Sequence, residues 1–200
     1  MKGKIFNSQE VQAIIAGTKT IFREVIKIQP ANENQVFSTV ASSIRNKDIG
    51  THNFINPKAT WEQTKKFKCP YQVGETIFVK EGIAHGGYFG ACFVYCADGT
   101  KSNKMWQTHW SRHCRPANYM NQKQSRITLE ITDVKVERLQ DISEEDAIKE
   151  GVWNIQEKGS PRNWDIKNAF ATFWNATHKK PEEKFEANPF VWVVDFNINK

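Results

Sequence analysis

The chain has little that would place it in a membrane or outside the cell. Its longest apolar run, residues 190–194, is only strand-sized and falls well short of the roughly 18 residues that a membrane helix requires. No apolar stretch follows the charged first residues, so the sequence predicts no secretory signal peptide. Apolar residues make up 39% of the 200 positions, which is enough for the core of one domain. We therefore expect one domain over residues 1–200, located in the cytoplasm and without a membrane partner.

Signature motifs of the common enzyme classes are also missing. The sequence contains no Gly-x-Ser-x-Gly elbow, no His-Glu-x-x-His, no Gly-x4-Gly-Lys-Ser/Thr and no Gly-x-Gly-x-x-Gly. Serine-hydrolase, zinc-protease, nucleoside-triphosphatase and dinucleotide-dependent chemistry therefore have no support. We expect no cofactor.

Cysteine is scarce, and its placement argues against a metal centre. Zinc ligands usually come in close Cys-x2–4-Cys pairs on turns. Cys92 and Cys96 instead lie in a segment that predicts a strand, with both side chains on one face. Reduced thiols without a metal are the prediction, and a zinc site is the open alternative. The candidate ligands would be Cys69, Cys92, Cys96, His109, His113 and Cys114.

Charge is unevenly spread along the chain. Residues 1–126 carry 18 basic and 8 acidic side chains, whereas residues 127–200 carry 10 and 14, within a net charge of +6. Residues 99–126, called the basic aromatic loop below, contain no acid. Cations that pair phosphates beside rings that stack on bases are typical of single-strand or flipped-base binding. The alternative is a solvated loop whose tryptophans anchor it to the core. Its relevant side chains are Lys101, Lys104, Trp106, Trp110, Arg112, Arg115, Tyr119, Lys123 and Arg126.

The periodicity of apolar residues predicts an α+β protein with a small, curved, mostly antiparallel sheet and a few helices. In the segment 127–139 the apolar alternation slips by one residue around Thr132 and Asp133, which indicates a β-bulge. Residues 29–68 are polar and weakly periodic, and they predict a long irregular insertion. Helices are predicted at about 8–16, 143–150 and 168–178, and further strands at 18–26, 76–80, 88–96 and 190–198.

Two basic residues and one acidic residue stand out for their chemistry. Lys19 follows a predicted helix end, and in an extended segment it shares a face with Arg23. A lysine desolvated beside another cation can act as a base or a nucleophile. Glu150 lies in the last turn of a predicted helix, where the helix dipole disfavours a carboxylate. The plain alternative for each is an ordinary side chain at a helix end.

Several blocks of the sequence resemble the ASCH domain family, in particular its long bacteriophage and prophage branch. The segment Ala16–Arg23 is similar to the family signature Gly-x-Lys-Thr-x-Thr-x-Arg or Gly-x-Lys-Thr-x-Thr-Arg. Cys69–Glu81 resembles the Cys-Pro-Tyr…Gly-Asp-x-Leu-Trp-Val-Arg-Glu stretch of that branch. Further similar blocks occur in order at Ser125–Ile131, Arg138–Gly151 and Ala187–Phe196, so that the resemblance covers nearly the whole chain.

This resemblance implies a PUA-like β-barrel with flanking helices and a cleft for RNA, nucleotides or modified bases, in a phage-encoded or prophage-encoded protein of a bacterial cell. One small bacterial relative in the family is an amidohydrolase that removes the acetyl group from N4-acetylcytidine. Its catalytic Lys and Glu match Lys19 and Glu150. Its catalytic Thr, three residues after the Lys, corresponds to Phe22, and Thr20 is the nearest hydroxyl.

Two functional hypotheses follow. The first is a binding module for RNA, a nucleotide, a modified base or single-stranded nucleic acid. The second is an amidohydrolase for N4-acetylcytidine-type nucleosides, with Lys19 as base, Glu150 as proton donor and Thr20 or a water as nucleophile. A ribonuclease and a purely structural or partner-binding role are lesser alternatives. Either leading hypothesis predicts that Lys19, Arg23 and Glu150 converge. The predicted binding residues are Lys19, Phe22, Arg23, Trp106, Trp110, Arg112, Arg115 and Arg126.

Overall fold

The fold was analysed in a computed structural model. The described residues are 1–30, 35–39, 51–55, 67–85, 93–102, 115–152 and 165–199. Trp106, Trp110 and Arg112 of the basic aromatic loop lie outside these ranges, as does most of the predicted insertion.

The described residues form an α+β fold, as the apolar periodicity predicted. Three helices are seen among them, α1 (Ser8–Ile15), α2 (Glu144–Lys149) and α3 (Ile166–Thr177). The strands are β1 (Lys2–Ile5), β2 (Ile21–Val25), β3 (Val36–Thr39), β4 (Thr51–Ile55), β5 (Phe67–Lys68), β6 (Thr76–Lys80), β7 (Ile83–His85), β8 (Phe93–Tyr95), β9 (Thr128–Arg138) and β10 (Phe190–Asn199).

Five strands make the main sheet, in the order β1-β6-β9-β10-β2. Only the β1–β6 pair is parallel, so the prediction of a mostly antiparallel sheet is confirmed. Within the described residues, no backbone pairing joins the two edge strands β1 and β2. Closure into a PUA-like barrel therefore stays a prediction.

The predicted β-bulge is present. Asp195 of β10 pairs with Asp133 of β9, but the next residue, Phe196, pairs with Ile131, so that Thr132 is the extra residue. A bulge bends its strand and increases the local twist. The main sheet is therefore bent close to Asp195, where the pairing of β10 with β2 ends.

The range predicted to be an irregular insertion contains regular structure. Strands β3, β4 and β5 pair antiparallel in a small second sheet, and β7 and β8 form a third. These strands have only two to five residues. Such short polar strands carry too few alternating positions to be predicted from periodicity.

The main sheet is apolar on both faces, so each residue of β2 belongs to one of two cores. Phe22 packs in the cluster with α1, Trp192 and Phe196, whereas Ile21 packs in the cluster with α2 and α3. Alternation along β2 then places Arg23 on the α2 side and Glu24 on the opposite side. The two faces of β2 carry the two sites described below.

Helix ends bring separate parts of the chain together beside β2. Helix α1 is capped by Asn7, one residue before the predicted cap Ser8, in a reciprocal capping box with Glu10. After α2, Gly151 adopts a positive φ of 89°, and a Cβ atom there would lie 3.3 Å from Cβ of Ala13 and 3.8 Å from Cβ of Lys19. The ends of α1 and α2 are thus in contact. No helix in the described ranges combines the length and apolarity needed to cross a membrane.

Candidate functional site

Lys19 is held at the junction of α1 and α2 with none of its surface exposed. Its backbone N–H donates to the carbonyl oxygen of Ala13 at the end of α1, at 3.1 Å. Its Nζ donates to the backbone oxygen of Glu150 at 2.9 Å and to Oε2 of Glu150 at 3.0 Å. A buried ammonium is costly unless it is paired, and here the end of α2 supplies both a carboxylate and a free helix carbonyl.

Glu150 is the centre of this arrangement. Its residue is 4% exposed, and its second carboxylate oxygen, Oε1, accepts from Nη1 of Arg23 at 2.9 Å. Two cations therefore offset the unfavourable position of a carboxylate at a helix C-terminus. Lys19, Arg23 and Glu150 converge as predicted, although the roles predicted for them in binding or catalysis stay predictions.

A second layer of contacts surrounds this centre and is looser. Nη2 of Arg23 lies 3.3 Å from Oδ2 of Asp146 and 3.6 Å from Oε2 of Glu137. Nζ of Lys19 lies 3.5 Å from Oε1 of Glu10. The outer carboxylates are partly exposed, whereas Glu150 is not. Nε of Arg23 is buried and has no hydrogen-bond partner.

The surroundings are acidic and not basic. Asp195 has a raised pKa, because of burial and of the nearby charges of Asp133 and Asp146, which outweigh the attraction of Lys135. The pKa of Lys135 is also raised, chiefly by its hydrogen bond to Glu137. The predicted basic wall is therefore wrong at this place, because carboxylates compensate Lys19 and Arg23. We call the set Glu10, Lys19, Arg23, Glu137, Asp146 and Glu150 the Lys19–Glu150 cluster.

Phe22 does not belong to the cluster. Its ring lies on the opposite face of β2, is 2% exposed and packs edge-on against Phe6 and Tyr71 at centroid distances of 5.8 and 5.2 Å. A ring enclosed in this way presents no face to a base, so the predicted stacking role of Phe22 is wrong. Side chains alternate along an extended segment, which turns Phe22 towards the core as it turns Arg23 towards α2.

Thr20 is fixed through its backbone. Its N–H donates to the carbonyl oxygen of Lys149 at 3.0 Å, and its carbonyl oxygen accepts from the N–H of Phe196 at 2.9 Å. These bonds tie the start of β2 to the end of α2 and to β10. Thr20 is adjacent to Lys19 in an extended segment, so its side chain is directed away from the face of Lys19. Its assignment as nucleophile stays a prediction.

Arg126 has a structural partner instead of a free guanidinium. Its Nε and Nη2 bind both oxygens of Glu81 at 2.8 and 2.9 Å, and Nη1 binds Asp98 at 2.8 Å. Its guanidinium also lies 4.0 Å from the ring centroid of Tyr95. Burial raises the pKa of Glu81, against the opposing effect of Arg126. Two carboxylates thus neutralise Arg126 in this structure, and its role in ligand binding stays a prediction.

Arg115 retains a surface position. Its guanidinium carbon lies 5.8 Å from the ring centroid of Tyr119, whose residue is 63% exposed. Its backbone pairs with that of Ile83, which attaches this end of the loop to β7. An exposed ring beside a cation is compatible with the predicted stacking surface for bases. The partners predicted beside it, Trp106, Trp110 and Arg112, lie outside the described residues.

The metal alternative involves residues that are mostly outside the described ranges, namely Cys92, His109, His113 and Cys114. Cys69 and Cys96 are described, and both are half-buried. Within the described ranges no group of three or more possible ligands could hold a metal ion.

The outer carboxylates of the cluster were not predicted, although one of them left a signal. Asp146 precedes Glu150 by four residues in the helical segment, a spacing that puts both side chains on one face. Glu10 and Glu137 carry no such mark, since Glu10 reads as a capping residue and Glu137 as an exposed strand position.

Known proteins provide no assignment for this site. No family model, no curated protein and no solved structure matches the chain. Function is therefore inferred from the contacts and charges above.

Proposed function

We propose that this chain is an ASCH-type protein with a PUA-like fold that binds a nucleoside or a modified base at the Lys19–Glu150 cluster. The observation that carries the proposal is the fully buried Lys19 paired with the buried Glu150. A buried ion pair adds little to stability compared with well-packed apolar residues, which favours a functional role for the pair. The blocks that resemble the ASCH family include both residues.

The barrel also has partial support from side chains. Lys4 of β1 forms an ion pair with Glu24 of β2, and Phe6, just after β1, packs against Phe22 of β2. Contacts thus connect the two edge strands of the main sheet where backbone pairing does not. This arrangement suits a strongly curved sheet whose edges approach each other.

The two layers of the cluster suit an exchange with a ligand. The inner contacts to Glu150 have distances of 2.9–3.0 Å, whereas the contacts of Arg23 to Asp146 and Glu137 have distances of 3.3–3.6 Å. A carbonyl oxygen of a base accepts from Arg23 in place of Asp146. The released carboxylate then accepts from an N–H of the same base. Alternating donors and acceptors of this kind occur on the Watson–Crick edge of a base.

The charge of the rim selects among the predicted ligands. Glu10, Glu137 and Asp146 are the partly exposed members of the cluster, and all three are acidic. The lysines described beside them are already paired, Lys135 with Glu137 at 2.8 Å and Lys149 with Asp146 at 4.0 Å. An uncharged base or nucleoside therefore fits this rim better than a nucleotide or an RNA backbone. RNA or single-stranded nucleic acid as a partner would depend on the basic aromatic loop, where Arg115 and Tyr119 are described.

Calorimetric titration with cytidine, N4-acetylcytidine, uridine and adenosine tests the binding. Glu150→Gln should weaken binding by roughly tenfold to a hundredfold, because it removes the charged hydrogen bonds, worth about 1.5–3 kcal/mol, that position Arg23 for its contact with the base. The matched control is Glu145→Gln on the exposed side of α2, which should bind like the unmodified chain. Absence of binding by every nucleoside, or equal binding by the two variants with intact circular dichroism, would overturn the proposal.

A second candidate function is hydrolysis of the acetyl amide of N4-acetylcytidine. The observation in its favour is the 3.0 Å distance between Nζ of Lys19 and Oε2 of Glu150, which suits proton transfer. A water would attack the acetyl carbonyl and pass its proton to the pair, and the C–N bond would break to give acetic acid and cytidine with a proton on N4. With Thr20 as nucleophile, the acetyl ester formed on its hydroxyl would be hydrolysed by a water in a second step. Phe22 stands where the family has its catalytic threonine, so the hydroxyl is missing at that position. Binding without turnover is therefore the function we favour.

Chromatography of the nucleoside after incubation distinguishes the two functions. Binding alone predicts that N4-acetylcytidine is recovered intact. Cytidine formed by the unmodified chain and not by Glu150→Gln would establish the amidohydrolase. Ribonuclease chemistry is disfavoured by the acidic rim, since the enzyme would have to hold phosphates there.

A further inference from the structure

A pocket lies on the other face of β2, away from the Lys19–Glu150 cluster. Its volume is about 290 Å³. Glu24 belongs to its lining and alternates with Arg23 along β2, so the strand separates the two sites. The lining residues used below are Glu24, Lys27, Phe67, Lys68 and Trp192. The proposal made for this pocket is independent of the function proposed above.

Glu24 is a fixed, ionised acceptor in this pocket. Its Oε2 is held by Nζ of Lys4 and by the hydroxyl of Tyr71, which donates at 2.6 Å. Burial alone would raise the pKa of Glu24, but Lys4, the hydrogen bond from Tyr71 and the charge of Lys27 together bring it below its ordinary value. All of the described contacts of Glu24 involve Oε2. Oε1 therefore keeps its capacity to accept a hydrogen bond from a ligand.

Aromatic rings form the apolar side of the pocket. Trp192 of β10 is the direct register partner of Glu24. The rings of Phe67 and His52 pack edge-on or tilted around it, with centroid distances to Trp192 of 6.2 and 5.0 Å. Burial lowers the pKa of His52 and keeps that ring uncharged near neutrality. Rings fixed by their neighbours provide a rigid surface for a planar ligand.

The charge at the mouth is positive, in contrast to the acidic rim of the first site. Lys27 and Lys68 are exposed and line the pocket, while Lys4 already compensates Glu24. A ligand that uses all of these groups has a flat apolar ring, an N–H donor and an anionic group. The volume is at the small end for ligand sites, which excludes a folded polymer and suits one nucleotide.

We propose that this pocket binds a small planar aromatic anion of the nucleoside monophosphate class. The base lies against Phe67 and Trp192 and donates an N–H to Oε1 of Glu24. The phosphate pairs with Lys27 and Lys68 at the mouth. No bond is made or broken in this step.

Titration of the full chain with cytidine and adenosine monophosphates, their nucleosides and inorganic phosphate tests this site. We expect the monophosphates to bind more tightly than phosphate alone. Lys68→Glu should weaken them by at least about tenfold, which is the effect of replacing one charge-assisted contact with repulsion. Lys179→Glu, a change of an exposed lysine that does not line the pocket, should leave binding unchanged.

Three outcomes would overturn the proposal. The first is that monophosphates do not bind, and the second is that phosphate alone binds as tightly as they do. The third is an equal effect of Lys68→Glu and Lys179→Glu. The Glu150→Gln variant keeps this test separate from the first site, because it should lose nucleoside binding and retain monophosphate binding. If Glu150→Gln instead lost binding of both nucleosides and monophosphates, the monophosphate would be placed at the Lys19–Glu150 cluster. That result would also overturn the proposal for this pocket.

Discussion

Nζ of Lys19 lies 3.0 Å from Oε2 of Glu150, a residue 131 positions further along the chain. This contact joins the end of α1, the start of β2 and the end of α2 at one buried point. Arg23 binds the other oxygen of the same carboxylate, so the geometry of Glu150 is fixed from two sides. The proposed nucleoside-binding site is built around this junction.

Removal of the lysine charge should destabilise the chain strongly. Lys19→Met leaves Glu150 buried with one cation fewer, and breaking a buried pair costs about 3–5 kcal/mol. The Lys19→Met, Glu150→Gln double variant should be more stable than the sum of the single changes predicts, with a coupling of about 1–3 kcal/mol. Urea denaturation of the four proteins measures both values. Strictly additive effects would contradict an energetic link between the two side chains.

A side chain at Gly151 should crowd the contact between the ends of α1 and α2 as well as strain the backbone. Gly151→Ala places a Cβ at a φ of 89°, 3.3 Å from Ala13 and 3.8 Å from Lys19. The backbone strain alone costs about 1–3 kcal/mol. Gly99→Ala is the matched control, since Gly99 has a φ of 73° but open space around it. We expect a larger fall in melting temperature for Gly151→Ala, and equal falls would show that the close contact with Ala13 does not matter.

Replacement of Asp195 should stabilise the chain in a pH-dependent way. The pKa of this carboxyl is raised by burial and by Asp133 and Asp146. Ionisation of Asp195 at neutral pH therefore destabilises the folded chain. Asp195→Asn should therefore be more stable than the unmodified chain near pH 7. The difference should disappear as the pH falls through the raised pKa of the folded state to 3.8, the ordinary pKa of an aspartate. Thermal unfolding at a series of pH values measures this difference, and a loss of stability in Asp195→Asn at neutral pH would contradict the role given to Asp195.

The hydroxyl of Tyr71 should matter for stability, unlike that of an exposed tyrosine. Tyr71→Phe removes the 2.6 Å hydrogen bond to Glu24 in a mostly buried position. Hydrogen bonds to charged groups contribute about 1.5–3 kcal/mol, so we expect a loss within this range. Tyr119→Phe, on a residue that is 63% exposed, should be neutral. Equal free energies of unfolding for the two variants would mean that Glu24 does not need its second partner.

The sequence predicted the strand bulge and the meeting of Lys19, Arg23 and Glu150, but it misled on charge. The excess of basic residues before position 126 suggested a basic cleft. In the structure Lys19 and Arg23 instead pair with Glu137, Asp146 and Glu150 of the acidic second half. Part of the uneven charge is thus complementarity within the fold. Composition records the charges of two segments, but not that the segments pack against each other.

Phe22 and Arg126 show a second reason for the limits of prediction. The alternation of β2 was predicted, yet which face is enclosed depends on α1 and β10, which lie elsewhere in the sequence. Likewise the carboxylates that neutralise Arg126 are 45 and 28 residues away in the sequence. Local patterns indicate where a side chain points relative to its neighbours. They do not indicate what covers it.

Nucleoside binding at the Lys19–Glu150 cluster is tested most directly by a nuclear magnetic resonance titration of the isotope-labelled chain with N4-acetylcytidine. The account predicts that backbone amide shifts change around residues 19–23 and 146–151, with little change around Trp192. Shift changes confined to other regions, or no changes at saturating nucleoside, would contradict binding at the Lys19–Glu150 cluster.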